Sequence, residues 1–283
     1  MARTLTLTCL QAGGARIVDG GRPGYGHLGV AAGGPADFRA MSAANHLLSR
    51  PDDATCLEFS GAGGRWLLSG EGQFCLTGAD MNWRLNGRLV EACQVQYLDG
   101  DGLLIGSLAR RGLRAYLAAN GDWDLPVVLD SREPGVPGTR AITDGWSVAV
   151  NWEEECPFRS DFDVHRFHPS EEPAISVVPG PEWSLLSPEQ QRWLTTTAFT
   201  VSADSNRQGI RLTGEDLPGP AIPNQLSSPV LPGTVQLTPT GPILLGPDAQ
   251  TIGGYPRVLL VTEPAERAVA FQVKTGDDLR FRL

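Results

Sequence analysis

The chain opens on a strict alternation of apolar and polar residues. Leu5, Leu7 and Cys9 alternate with threonines, and a period of two predicts a β-strand with one buried face. Apolar runs of similar length recur between glycine, proline and asparagine turn signals along the whole chain. They predict strands at 4–10, 65–69, 73–77, 81–85, 94–98, 102–106, 113–119, 145–151, 174–178, 197–202, 233–238, 242–246, 257–262, 268–273 and 279–283.

The best-defined turn lies within residues 83–90. Asn86 and Gly87 supply the two positive-φ residues of a type I′ turn, so the strands on either side are expected to pair directly.

Only two segments have convincing helical spacing. In 35–48 the apolar residues repeat every three or four positions, and Asp37 lies near the positive end of the helix dipole. In 187–194, Ser187 and Gln190 have the form of a capping box. Many short strands and few helices favour β-barrels or sandwiches over a doubly wound α/β fold.

Chain length and an interruption in the series of predicted strands together suggest two domains. A chain of 283 residues corresponds to roughly two units of about 150 residues. The strands are interrupted near 120–130, so we predict a first β-barrel domain over 1–125 and a second over 126–283. The stretch 131–172 is irregular, rich in charge, proline and glycine.

Charge and composition exclude several classes of protein. The net charge of −9 argues against nucleic-acid binding, and no apolar run approaches the ~18 residues of a membrane span. Lys274 is the only lysine, which excludes a Walker-type phosphate loop. Five cysteines without a paired spacing are typical of reduced, buried thiols, and with no signal peptide the expected location is cytoplasmic.

A glycine-rich loop at 20–29 is the first candidate site. Its glycines match GxGxxG, but a dinucleotide fingerprint needs a strand directly before it and a helix opening within it. The functional alternative is a loop whose backbone approaches a ligand, with Arg22, Tyr25 and His27 supplying anion binding and proton transfer. A purely structural loop is the competing interpretation.

Other segments also carry candidate chemistry. Asp80 ends a predicted strand, where it can serve as an acid/base group or close an Asx turn. Arg207 and Arg211 are four residues apart in a predicted loop, a pattern that suits anion recognition or a solvated turn. Two aspartates and two histidines at 161–168 could bind a metal, but their spacing fits no zinc or calcium template, so no metal is expected.

The segment 228–257 concentrates polar groups on a glycine-hinged turn. Gln250, Thr251 and Tyr255 lie between two apolar strands, and loops held by a rigid β scaffold are where binding groups collect. The competing interpretation is a hairpin that needs turn residues.

Five motifs, in order, resemble one known family. They are GRPGYGHLGV at 21–30, TGAD at 77–80, GLRAYLA at 112–118, PGTVQ at 232–236 and QTIGGYP at 250–256. The chain is identified from them as similar to the allophanate-hydrolase-subunit-2 family. That family includes the C subunit of prokaryotic ATP-dependent 5-oxoprolinase, the carboxyltransferase domain of urea carboxylase, and the accessory partner of a kinase inhibitor.

The resemblance implies two cyclophilin-like β-barrel domains and a subunit that works with partners. The expected partners are a B-type subunit, similar to allophanate hydrolase subunit 1, and an A-type 5-oxoprolinase subunit. The complex would use ATP to open 5-oxoproline to glutamate, and this chain would hold no cofactor of its own. The alternatives are a non-catalytic partner of a kinase-inhibitor-like protein and a carboxyltransferase that uses a partner's biotin.

By resemblance and side-chain chemistry, ten residues are expected to form the site. The candidates for proton transfer are His27, Asp80 and Tyr255; those for substrate binding are Arg22, Tyr25, Arg132, Arg207, Gln236, Gln250 and Thr251. The chain departs from the family pattern at 130–133, where Asp-Ser-Arg-Glu replaces Gly-Ser-Arg-Ser, and at Gln208, where the family usually has methionine.

Overall fold

A computed structural model of the chain describes residues 3–152, 173–216, 218–219, 222–223 and 225–283. Contacts between residues divide the chain into two compact units. The first comprises Met1–Gly21 and Asp37–His168, and the second comprises Arg22–Ala36 and Pro169–Leu283. Each unit has its own sheet and its own apolar core.

The described part of the first unit contains eleven strands and one α-helix. In chain order they are β1 (Arg3–Gln11), β2 (Ala15–Val18), α1 (Phe38–Leu47), β3 (Cys56–Ser60), β4 (Ala62–Asp80), β5 (Arg84–Leu85), β6 (Arg88–Leu89), β7 (Val95–Asp99), β8 (Gly102–Leu108), β9 (Arg111–Ala119), β10 (Asp122–Trp123) and β11 (Ser147–Trp152).

The long strand β4 organises this sheet. Its first half pairs with β1 and β8, and its second half pairs with β7 and β9. Between the halves, Gly70 has a φ of 94°, and a β-carbon there would lie 2.3 Å from the carbonyl oxygen of Thr4. Glycine therefore allows one strand to continue where the sequence predicted two, at 65–69 and 73–77.

Apolar residues at alternate positions of the strands form much of the core of the first unit. Leu5, Leu7 and Cys9 of β1 are fully buried, as their alternation predicts. Trp66 packs edge-on against Phe59, with ring centroids 5.7 Å apart. A second cluster forms where α1 covers the side chains of β2, β3, β4 and β9.

The second unit contains ten strands and two α-helices among its described residues. In chain order they are β12 (Ala174–Ser176), β13 (Val178–Pro179), α2 (Pro188–Thr196), β14 (Phe199–Val201), β15 (Gly209–Thr213), β16 (Ser228–Pro229), β17 (Thr234–Thr238), β18 (Gly241–Leu245), β19 (Ile252–Gly253), β20 (Arg257–Leu260), α3 (Pro264–Ala270) and β21 (Asp278–Arg282). Short 3₁₀ helices cover Tyr25–Leu28 and Trp183–Leu185.

Eight of these strands form one sheet, and β16 pairs separately with β19. The order in the sheet is β12-β21-β14-β15-β18-β17-β20-β13. Only the β12–β21 pair is parallel among the described strands. The apolar core beneath the sheet includes Trp193, Phe199 and Phe271. Both units are thus mainly β, which confirms the predicted fold class.

Local signals with a defined geometry are confirmed. Asn86 and Gly87 have φ values of 49° and 81° and join β5 to β6. Asp37 is the N-cap of α1 and accepts a hydrogen bond from the amide of Ala40. Ser187 caps α2 through the full capping box that the sequence predicted.

Other predicted elements are wrong. The run 268–273 is not a strand: its first residues complete α3, which begins with Pro264 at its first turn, a position that suits proline because no amide donor is needed there. Of the predicted strand 81–85, only Arg84–Leu85 is extended. The predicted loop around Arg211 contains strand β15.

The residue ranges of the two units differ from the predicted division of the chain between residues 125 and 126. The segment Arg22–Ala36 groups with the second unit, while β11 pairs with β1 in the first. Strand β11 belongs to the first unit because it pairs with β1, from which it is distant in the sequence. None of the helices in the described ranges is long and apolar enough to cross a membrane.

Candidate ligand pocket in the second unit

One row of side chains crosses three neighbouring strands of the second sheet. Arg211 on β15 pairs with Ile243 on β18, and Ile243 pairs with Gln236 on β17. Residues directly opposite one another in paired strands share a face of the sheet. The register therefore places an arginine and a glutamine on either side of an isoleucine.

A pocket of about 130 Å³ lies over this row. Its lining consists of Asn206, Gln208, Gly209, Arg211, Gln236, Ile243, Leu245, Gln250 and Tyr255. This volume has room for a small molecule. Aliphatic side chains form part of the floor, and amide, phenol and guanidinium groups surround it.

A pair of hydrogen-bonded amides holds one side of the pocket. Nε2 of Gln250 donates to Oε1 of Gln236 at 3.3 Å, and Nε2 of Gln236 donates to the carbonyl oxygen of Tyr255 at 3.3 Å. Gln236 is 1% exposed. A β-carbon on Gly253 would lie 2.6 Å from Nε2 of Gln236, so glycine is needed at 253 for this amide to keep its position.

A half-buried ion pair is formed by Arg207, which lies between the pocket residues Asn206 and Gln208 in the chain. Nε and Nη2 of Arg207 donate to the two carboxylate oxygens of Asp248 at 3.0 and 2.9 Å. Nη2 also donates to the carbonyl oxygen of Gly34 at 2.6 Å. Arg207 therefore joins three segments of the second unit and is absent from the pocket lining.

A second ion pair fixes the start of β20, two residues after Tyr255. Nε and Nη2 of Arg257 donate to the two carboxylate oxygens of Glu182 at 2.9 and 2.6 Å. These hydrogen bonds hold the pKa of Glu182 below its usual value and raise the pKa of Arg257. The carboxylate also accepts a hydrogen bond from the backbone amide of Arg257. Both the backbone and the side chain of Arg257 therefore hold the start of β20 in place.

The glycine-rich loop lies close to the segment that carries Gln250. A β-carbon on Gly26 would lie 3.9 Å from Cγ2 of Thr251, which is van der Waals distance. His27 is exposed on the 3₁₀ helix, and its Nδ1 donates to the carbonyl oxygen of Gly24 at 2.9 Å. Because a carbonyl oxygen can only accept, Nδ1 carries the hydrogen in this contact, and Nε2 is not part of it.

The same loop shows why the dinucleotide interpretation fails. Gly24 and Gly29 both adopt the left-handed conformation and flank a short 3₁₀ helix. The helix α1 starts only at Phe38, so no α-helix opens within the glycine motif. Arg22 is buried, and its backbone amide donates to Ala32. Tyr25 lies on the 3₁₀ helix beside His27.

Two predicted site residues belong to the first unit. Asp80 ends β4, and its Oδ1 accepts from the amide of Asn82 at 2.9 Å, which is the Asx-turn alternative. Arg132 forms an ion pair with Asp122 at 3.0 Å. The backbone amide of Arg132 donates to Asp19 at 2.7 Å.

The structure thus brings together part of the predicted set. Gln236, Gln250 and Tyr255 line one pocket, and Thr251 lies beside it. Asp80 and Arg132 do not line it, and neither do Arg207, Arg22, Tyr25 and His27. The chemical roles given to all ten residues remain predictions.

Sequence reasoning missed Arg211 as a pocket residue. The sequence around Arg207 and Arg211 predicts that both lie in a loop. Because β15 begins at Gly209, Arg211 lies on the strand face with Ile243 and Gln236. A period-two reading of 209–213 against 241–245 would have been the signal.

No candidate metal centre is found among the described residues. They contain no group of three or more histidine, cysteine, aspartate or glutamate side chains that could hold a metal ion, and the candidate ligands at 161–168 lie outside the described residues. Cys9, Cys56, Cys75 and Cys93 are buried and form no disulfide with one another, as predicted for four of the five cysteines. Burial raises the pKa of Cys56 to about 12, so this thiol stays protonated.

The family of the chain is shown by comparison with known proteins. Residues 28–283 match the family described as carboxyltransferase domain, subdomain A and B. This match covers most of the chain, which therefore belongs to that family. The relationship predicted from the five motifs is confirmed.

Two curated relatives match over nearly the whole chain. It is 29% identical over 272 residues to the C subunit of the 5-oxoprolinase of Escherichia coli, covering 94% of this chain and 86% of the relative. It is 28% identical to the urea amidolyase of Lachancea kluyveri, covering 92% of this chain and 16% of that longer protein.

A solved structure shares the fold. The crystal structure of TTHA0988 is 28% identical, with a TM-score of 0.86 over 99% of this chain. The chain spans 56% of the length of TTHA0988.

Proposed function

We propose that this chain is the C-type subunit of a multi-subunit 5-oxoprolinase and that the pocket in the second unit binds the substrate. The observation that carries the proposal is the 29% identity to the C subunit of a 5-oxoprolinase over 94% of this chain. The complex, rather than this chain alone, would consume ATP. Its partners would be an A-type and a B-type subunit.

The pocket lining has the chemistry needed to hold a small amide. In hydrolysis of the amide bond of 5-oxoproline, water loses a proton and adds to the carbonyl carbon, and the C–N bond then breaks with the ring nitrogen leaving as a protonated amine. Negative charge develops on the carbonyl oxygen during the addition. Donors aimed at that oxygen stabilise the charge. The amides of Gln236 and Gln250, which line the pocket, are the donors we assign to this task.

Proton transfer would fall to side chains at the edge of the pocket. Tyr255 lines it and is 39% exposed, so part of this residue is accessible to a ligand. His27 lies on a loop that approaches Thr251 and keeps Nε2 available. A general acid or base must come within about 3 Å of the proton it moves, which makes these two residues the candidates in the second unit.

The test is reconstitution of the complex from separately purified subunits. The expected result is ATP hydrolysis that depends on 5-oxoproline and disappears when this chain is omitted. Gln236→Leu should lower kcat by about a hundredfold, as loss of an oxyanion donor does, with thermal unfolding of the variant measured to confirm that it folds. Turnover that is the same with and without this chain would refute the proposal.

A second candidate function is carboxyl transfer to urea or another amide. The observation that favours it is the match to a urea amidolyase over 92% of this chain. The biotin would come from a partner, since the only lysine, Lys274, stands between Val273 and Thr275 rather than between methionines. This function predicts capture of the chain by a biotinylated partner and inhibition by avidin, neither of which is expected for the 5-oxoprolinase.

A further inference from the structure

We infer that Arg211 binds a carboxylate of the ligand and makes the pocket selective for a small anionic amide over a neutral one. This role rests on the proposed function for the identity of the ligand. Arg211 lies in the pocket, yet the ten residues predicted from the sequence do not include it.

The spacing across the row of side chains fits a short ligand with two polar ends. Neighbouring strands lie about 4.8 Å apart, and Ile243 stands between Arg211 and Gln236. The backbones of Arg211 and Gln236 are therefore about 10 Å apart on one face. The lactam ring of 5-oxoproline carries its carbonyl on one side of the ring nitrogen and its carboxylate on the other. It would lie across the isoleucine, with one polar group toward each side chain.

The charge of the lining favours an anion. No aspartate or glutamate is among the nine residues that line the pocket, and Arg211 is the one residue of the nine with a full charge. Arg211 is exposed, so a ligand can reach its guanidinium, and a lone cation among neutral amides attracts an anion. The net charge of −9 makes this local excess of positive charge distinctive within the chain.

The other two arginines of this region are already engaged. Arg207 is paired with Asp248 and Arg257 with Glu182. Within the described ranges, the guanidinium of Arg211 forms no hydrogen bond or ion pair. Its backbone, by contrast, is fixed by the hydroxyl of Ser205, which accepts from the amide of Arg211 at 3.0 Å.

Arg211 is suited to bind a carboxylate because its backbone is held in place and its guanidinium has no partner among the described residues. Arginine can donate two parallel hydrogen bonds to the two carboxylate oxygens. A neutral amide such as urea offers no charge to Arg211 and would lose that contribution. The pocket therefore favours 5-oxoproline over urea through one residue.

The first experiment uses the reconstituted complex. Arg211→Gln should raise the KM for 5-oxoproline by about ten- to a hundredfold, the effect of losing a charge-assisted hydrogen bond, while kcat changes by less than about threefold. Arg211→Lys should recover part of the loss, since it restores the charge without the two-pronged geometry. The matched control is Arg192→Gln on α2, an exposed position outside the pocket lining, which should leave KM unchanged.

The second experiment measures binding to the full chain by calorimetry. Wild type should bind 5-oxoproline about tenfold more tightly than its uncharged carboxamide, or better, and Arg211→Gln should bind the two equally. Equal affinities in wild type, absence of binding, or an unchanged KM in Arg211→Gln would each overturn the role of Arg211. The proposed function has its own separate readout: it fails if the complex shows no ATP hydrolysis that depends on 5-oxoproline, or if turnover persists without this chain.

Discussion

At the scale of single residues, two arginines four positions apart have different uses. Arg207 precedes β15 and binds Asp248 and the carbonyl of Gly34, whereas Arg211 lies within β15 and lines the pocket. The sequence shows the same side chain twice. Tertiary contacts decide which one is accessible to a ligand: Arg207 is engaged by Asp248, whereas the register of β15 with β18 sets the sheet face on which Arg211 lies.

The Glu182–Arg257 ion pair gives a pH-dependent prediction. Hydrogen bonds from Arg257 lower the pKa of Glu182 from its ordinary value of 4.5, so the pair stabilises the fold above that pH. This stability is lost as the pH falls through the lowered pKa, where the folded carboxylate takes up a proton. Glu182→Gln should therefore lower the free energy of unfolding by about 1 kcal/mol at pH 7.

Urea titrations at several pH values measure this effect. The difference between wild type and Glu182→Gln should shrink below about pH 4, as the carboxylate of the wild type becomes neutral like the amide that replaces it. Glu215→Gln is the matched control, because Glu215 is exposed and should change stability by less than about 0.5 kcal/mol. A difference that is equally large at about pH 7 and about pH 3 would contradict the assignment.

At the scale of elements, helices were predicted well where a cap could be recognised. The capping box of α2 has a sequence signature, and the structure confirms both of its hydrogen bonds. For α3, the N-cap position is Glu263, which makes no side-chain capping bond. Without that signal, the apolar run at 268–273 resembled a strand.

The capping box supplies the prediction at this scale. Ser187→Ala removes the acceptor for the backbone amide of Gln190 and should lower the free energy of unfolding by about 1 kcal/mol. Ser187→Asp keeps an acceptor at the same position and should be close to neutral. Thermal or urea unfolding of the two variants makes the comparison, and equal loss in both would show that the cap contributes nothing specific.

At the scale of the whole molecule, the chain combines two β units in a family that includes larger proteins. It spans 56% of TTHA0988 and 16% of a urea amidolyase. Proteins of this family can thus carry the same units within longer chains. Function at this scale depends on which other chains or domains accompany the two units.

Purification of the chain from its native source separates the remaining alternatives. Under the proposed function, an A-type 5-oxoprolinase subunit should elute together with it, identified by mass spectrometry. A kinase-inhibitor-like protein in its place would favour the regulatory alternative, and a biotinylated protein would favour carboxyl transfer. A B-type subunit alone is compatible with both the enzyme and the regulator, so the A-type subunit is the deciding observation.

The sequence by itself determined the mainly-β fold class, the Asn86-Gly87 hairpin, the cap of α2, the place of Asp37 at the N-terminal end of α1, and the family. These depend on short-range patterns: residue alternation, turn conformation and local hydrogen bonds. It also identifies Gln236, Gln250 and Tyr255 as candidate site residues.

Only the tertiary structure decided which candidates meet. The register of β15, β18 and β17 places Arg211 on the same face as Gln236, and pairing of β11 with β1 assigns that strand to the first unit. Such contacts join residues far apart in the chain, and no local pattern encodes their alignment. Strand register therefore brings the side chains of the pocket together, whereas the sequence only supplies those side chains.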